Sequence, residues 1–220
     1  MSSTPIQKFT LISSFAANII YLSNKHETPS PNATQAAWDP KAPRQPDVEP
    51  NFVFGDQNGL LNLMERVFSL HVLAQETGGL DSKSITQALT VWNDLEHLRP
   101  PEPLDTPRYL SLHAACVSAL FVWLYLVVHP EDIGDEKVQT TVHTGLVNAE
   151  NVSDSETFPF LLIPAFCLGL ASIRDEEREC VKGIFDKAER SGISKRFRET
   201  VTKSWKRQDR GMKRSWDWSI

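Results

Sequence analysis

Apolar side chains recur every three or four residues along most of this chain, and several runs stop at glycine or proline. That spacing is the signature of amphipathic helices with defined ends. One stretch departs from it. Residues 108–130, RYLSLHAACVSALFVWLYLVVHP, are apolar on nearly every side. A helix apolar all round is either the core of a fold or a membrane span. Residues 110–128 only reach the lower edge of the spanning length. His113 sits near their start, and the next charges, Glu131, Asp132, Asp135 and Glu136, are acidic rather than basic. Both features favour a buried core helix over a span.

The flanking runs predict the rest. Residues 9–22 carry Phe9, Ile12, Phe15 or Ala16, Ile19, and Leu22 or Tyr21 at helical spacing, with Pro5 near the start. Only Lys8 precedes them as a positive charge, and no small-x-small cleavage site follows. Residues 1–28 therefore read as a docking helix rather than a secretion signal. Six prolines between 29 and 50 make that stretch a linker. Residues 51–220 read as one helical domain. Gly55 and Gly59 allow a turn, Asp56 or Asn58 caps, and Leu60, Leu63, Met64, Val67, Leu70 and Val72 or Ala74 form a stripe that Gly78-Gly79 ends. Asp81 or Ser82 caps a second helix with Ile85, Ala88, Leu89, Trp92, Leu95 and Leu98 inward, stopped at Pro100-Pro101. Residues 137–148 place Val138, Val142 and Leu146 on one side, joined by Thr141 or Gly145. Residues 158–171 are apolar all round, and Pro164 should kink or restart that helix. Residues 174–189 begin with acids, which suit a helix N-terminus, and Cys180, Val181, Ile184, Phe185 and Ala188 make their apolar stripe. Gly192 separates them from residues 195–210, where Phe197, Val201 and Trp205 point inward. No run alternates as a strand would. The prediction is an all-α fold of about eight helices around the buried helix 110–128.

With 220 residues, 40% hydrophobic, the chain can bury a real core. Its net charge of -5 is uneven: residues 182–220 hold 12 of 23 basic and 5 of 28 acidic residues, a segment of +7 against -12 elsewhere. With the apolar stripe inward, Lys195, Arg196, Arg198, Lys203, Lys206 and Arg207 face outward. They are the candidate nucleic-acid contacts, although any amphipathic helix would also carry such a face. Cys116, Cys167 and Cys180 are too few and too far apart for a disulfide framework or a zinc site. None of the six histidines has metal-ligand spacing, and His71 and His143 read as surface residues. There is no nucleophile elbow, Walker loop or dinucleotide fingerprint. No catalytic, cofactor-binding or metal-binding residue is predicted. An enzyme of unrecognised type and a membrane-associated protein spanning at 110–128 stand as the alternative readings.

Four places in order resemble the fungal-specific transcription factor domain, the C-terminal helical region of zinc binuclear-cluster regulators. They are Phe52-Val53-Phe54-Gly55 followed by Leu60-Leu61-x-Leu63-Met64; Leu89, Trp92 and Leu95 before a proline break; Tyr109 with Ala114-Ala115 leading to Trp123-Leu124-Tyr125-Leu126; and Phe158 with Phe166-Cys167-Leu168-Gly169, then Asp175-Glu176-Glu177-Arg178, Trp205, Asp209 and Trp216. The resemblance covers roughly residues 51–220. It implies a nuclear transcription regulator, of a kind that often controls metabolic or secondary-metabolite gene clusters. It also implies protein partners, as a homodimer or with a full-length zinc-cluster regulator. The family's six-cysteine DNA-binding module has no counterpart among these three cysteines, so sequence-specific DNA binding is not expected of this chain. Trp205, Trp216 and Trp218 are the candidate interface anchors, since aromatic residues dominate interface cores.

Overall fold

The computed structural model describes residues 59–100, 107–152, 158–188 and 192–211. The docking helix and linker predicted for residues 1–50, and Trp216 and Trp218, lie outside them. Seven α-helices and no strand occur among the described residues: α1 (Leu60–Thr77), α2 (Ser82–His97), α3 (Pro107–Val128), α4 (Glu136–Glu150), α5 (Leu162–Ala171), α6 (Asp175–Lys187) and α7 (Gly192–Gln208). A 3-10 turn, Phe158–Leu161, leads into α5.

Two apolar helices form the spine. The predicted central helix is α3, which begins at Pro107, three residues before the apolar run. It packs on α1, α2, α4, α5 and the 3-10 turn. Leu112, Ala115, Ala119, Val122, Trp123, Leu124 and Leu126 are all buried on it, Trp123 and Leu124 completely. This helix is long and apolar enough to cross a membrane, but 67% of its most apolar window is buried inside the protein, as a core helix requires. The second member of the spine is α5, whose ten residues are all buried. It touches α3, α4, α6, α7 and the 3-10 turn. Pro164 lies in its first turn, where a missing N–H costs nothing, so the proline restarts the helix after the 3-10 turn instead of kinking it.

Glycine decides two local geometries. Gly59, at φ 67°, starts α1 with no side-chain cap, in place of the cap expected from Asp56 or Asn58. Gly145 of α4 sits where α3 and α5 meet it; a Cβ there would lie 2.8 Å from both the Ser118 Cβ and the Leu168 Cδ1.

The hydrophobic stripes are as predicted on α1, α4 and α7, with three corrections. His71 is 4% exposed, because it extends the Met64–Val67 stripe at i+7 and i+4; its ring stands edge-on to Trp123 at 6.0 Å. On α2, Ile85 and Leu89 are 40% and 65% exposed, while Ser84, Ala88, Val91 and Leu95 face inward. The helix is rolled so that Trp92, at its edge, meets Phe121 at 5.0 Å. Gly192 belongs to α7 rather than separating it from α6. Asp81, rather than Ser82, caps α2, its carboxylate accepting from the Ser84 N–H at 2.8 Å.

Three substitutions measure this packing by chemical denaturation. Trp123→Ala should cost about 3–5 kcal/mol. Gly145→Ala, which crowds the Ser118 Cβ and the buried Leu168 side chain, should cost about 1–3 kcal/mol. Leu89→Ala should stay within about 0.5 kcal/mol of the parent. A Trp123→Ala protein as stable as the parent would contradict the spine.

Candidate functional site

The last four carbonyls of any α-helix lack intrahelical partners. At a surface, water serves them. In α5 the end itself is buried: Leu168, Leu170, Ala171 and Ser172 are all fully enclosed. Each carbonyl there is met by a side chain. The Ser172 hydroxyl donates to Leu168 O at 2.9 Å. The Trp205 indole N–H, from α7, donates to Gly169 O at 2.7 Å. The Gln208 amide donates to Leu170 O at 2.7 Å, and the Gln139 amide of α4 donates to Ala171 O at 3.0 Å. The Arg178 Nε of α6 donates to Ser172 O at 3.3 Å.

Arg178 also orders the donors. Its Nη1 pairs with Asp209 at 2.9 Å and its Nη2 donates to the Gln208 Oε1 at 3.1 Å, which turns the Gln208 amide toward Leu170. The guanidinium lies 5.4 Å from the Trp205 ring centroid, a cation–π arrangement. Gly169 permits the close approach: a Cβ there would lie 2.8 Å from the Val181 Cγ1. Gly169, Arg178, Trp205 and Asp209, scattered through the last motif of the resemblance, thus meet at one junction of α5, α6 and α7.

The predicted surface residues sort differently. Trp205 is 5% exposed and its N–H is engaged within the chain, so this ring supports the fold instead of presenting a surface. On α7, Lys195, Arg196, Arg198, Lys203 and Lys206 are exposed and Arg207 is half-buried. All but Arg198 fall within roughly 120° of the helix circumference, opposite Phe197, Val201 and Trp205. Glu199 interrupts that face. Arg198 points to the α6 side, where it pairs with Asp186.

Other chemistry is sparse. No group of three or more potential metal ligands occurs among the described residues. Burial pushes the Cys116 thiol up to about 12 and the Cys167 thiol higher still, which disfavours the nucleophilic thiolate in both. Cys180 is also raised to about 12, by burial and then by Glu150, and it sits in an open cleft of about 360 Å³ edged by Glu150, Glu176, Glu179 and Lys187. Glu177, within the acidic start of α6, is 4% exposed, and the Arg174 Nη1 lies 3.7 Å from its Oε1. Its spacing of four to Val181 and seven to Ile184 places it on the buried stripe, a signal the sequence carried. Gln139, three and seven residues before Val142 and Leu146, and Gln208, three and seven after Trp205 and Val201, carry the same signal, but spacing does not name the carbonyls they meet.

His113 is 6% exposed, and burial holds its pKa below the usual 6.5. The unfolded chain therefore takes up a proton near pH 6.5 that the folded chain refuses. The stability tied to this residue is complete above that pH and declines as pH falls toward the lowered value. Urea unfolding at pH 7.5 and 5.5 should show the loss, and His113→Leu should reduce it. At the α5 junction, Trp205→Phe keeps an aromatic ring, smaller than the indole, but removes the donor to Gly169 O. It should cost about 1–2 kcal/mol, since the Ser172 N–H still reaches that oxygen.

The comparisons extend the motif evidence. No curated protein and no solved structure matches the chain. The model of one family, described as the fungal specific transcription factor domain, matches residues 6–220, a span that begins well before the residue 51 at which the motif resemblance starts. With almost its whole length matched and the motif residues gathered at one junction, this chain belongs to the fungal specific transcription factor domain family.

Proposed function

We propose that this chain is the regulatory region of a transcription regulator, acting in the nucleus through protein contacts and not as an enzyme. The single observation that carries the transcriptional reading is the family match over residues 6–220. The finer parts are proposals: the partner is a second copy or a full-length zinc-cluster regulator, and the targets are genes of a metabolic or secondary-metabolite cluster. Trp216 and Trp218 are the proposed interface anchors, being the two aromatic residues that follow the clamped end of α7 in sequence.

Base recognition is assigned to the partner. A zinc ligand must be a thiolate, and Cys116 and Cys167 are fully buried in α3 and α5 with that form strongly disfavoured. The cations of α7 offer a phosphate-binding face but no source of base discrimination. The acidic remainder of the chain opposes approach to a duplex.

Fusion of the whole chain to an unrelated DNA-binding module should change transcription of a reporter carrying that module's site. A fusion indistinguishable from the module alone would count against the reading. In a direct titration at physiological salt, a cluster promoter and a scrambled duplex should bind equally weakly, with affinity falling steeply as salt rises. Tight binding with a preference for the promoter, lost in Arg196→Ala with Arg207→Ala, would make α7 a DNA reader and overturn the assignment.

A further inference from the structure

Spacing keeps the cysteines apart in sequence, but the fold gathers two of them. Cys116 lies on α3 and Cys167 on α5. Both line one small, partly open cavity between α1, α3 and α5, and Met64 of α1 lines it too. None of the three is more than 4% exposed. Burial first, and then Cys116, raises the Cys167 thiol, so each thiol lies within electrostatic reach of the other. Trp123, Phe160 and Ile163 are among the other lining residues, and no charged side chain lines the cavity.

Size and lining decide what this cavity can take. It holds about 20 Å³, where about 10–15 Å³ suffices for one water-sized guest. Pockets for whole ligands run to about 300–1,000 Å³. A water would need about two to four polar partners, and the wall is almost wholly apolar. A soft cation needs no hydrogen bond. It takes sulfur ligands, and thiolate and thioether groups select copper(I). Charge points the same way. When a monovalent cation binds, a metal–sulfur bond forms as one S–H bond breaks, and the proton leaves to solvent. One positive charge replaces another, so the cavity's net charge is unchanged. The second thiol and the thioether donate as neutral ligands. The burial that opposes a bare thiolate therefore does not oppose this exchange. Zinc differs, because it takes four nitrogen, oxygen or thiolate ligands. Histidine, cysteine and carboxylate groups make no such set among the described residues; a thioether counts only toward a soft metal.

We propose that Met64, Cys116 and Cys167 form a binding site for one soft monovalent metal ion, copper(I). The three ligands come from α1, α3 and α5, so a bound ion ties α1 to both helices of the spine. It stabilises the folded chain by mass action. The site rests on the cavity and its sulfur groups, independently of the transcriptional reading.

Copper(I), supplied without oxygen as its bicinchoninate complex, tests the site in the full chain. A single equivalent should pass to the protein and raise its unfolding temperature, and zinc(II) should not displace it. X-ray absorption at the copper edge should show sulfur neighbours. Met64→Leu, which keeps the volume, and Cys167→Ala should each weaken binding by at least about tenfold, the loss that even an outer-shell partner causes. Cys180→Ser should leave the affinity as it was. Circular dichroism checks that each variant is folded. No transfer to the parent chain overturns the proposal. So does binding that Met64→Leu and Cys167→Ala leave intact, or binding lost with Cys180→Ser, which would put the ion at the cleft beside α6. Should Cys167→Ala fail to fold, Met64→Leu and the absorption spectrum decide: an unchanged affinity or a shell without sulfur overturns the site.

Discussion

Burying both ends of a helix creates a debt of unpaired backbone groups, and α5 is where this fold meets it. An all-apolar helix of ten residues has no polar side chain to satisfy its own terminal carbonyls. Leaving one such group buried and unpaired costs about 1–3 kcal/mol, against a total stability of about 5–15 kcal/mol for a domain. Gln139, Arg178, Trp205 and Gln208 supply the donors from three other helices. The position of α7 is therefore fixed less by its own amphipathic stripe than by the need to bring an indole and an amide to the end of α5. The stripe of Phe197 and Val201 provides apolar burial, and the donors select one register for it.

Much of the fold was legible because hydropathy and punctuation agree. Gly78-Gly79, Asp81, Pro107 and Pro130 bracket α1, α2 and α3 as backbone chemistry requires, and the composition of α3 announces its burial. What escaped was the side chain whose role depends on a distant partner. His71 and Glu177 look like surface residues until their spacing to Met64 and Val181 is counted. Leu89 looks like core, yet among the described elements α2 packs mainly on α1 and α3 and buries a narrow face. An edge helix can leave large apolar residues outside, and sequence periodicity does not reveal which helix is at the edge.

The candidate site was legible in a different way. Gly169, Arg178, Trp205 and Asp209 stood out as a motif, but their reason is local chemistry: a close approach, a forked donor, an indole N–H and a counter-charge. The same residues that identify the family secure the junction of α5, α6 and α7. That arrangement commits the inner face of α7 to the fold and leaves its cationic face outward, so the chain beyond Gln208 leaves from a fixed point.

Native-state hydrogen exchange resolved by residue tests this account most directly. If the α5 carbonyls lock α7 to the spine, the amides around Trp205 should exchange with the same opening free energy as those of α3 and α5, as one cooperative unit. Exchange in α7 that is orders of magnitude faster than in the spine would show that α7 opens by itself, and that its donors do not hold the end of α5.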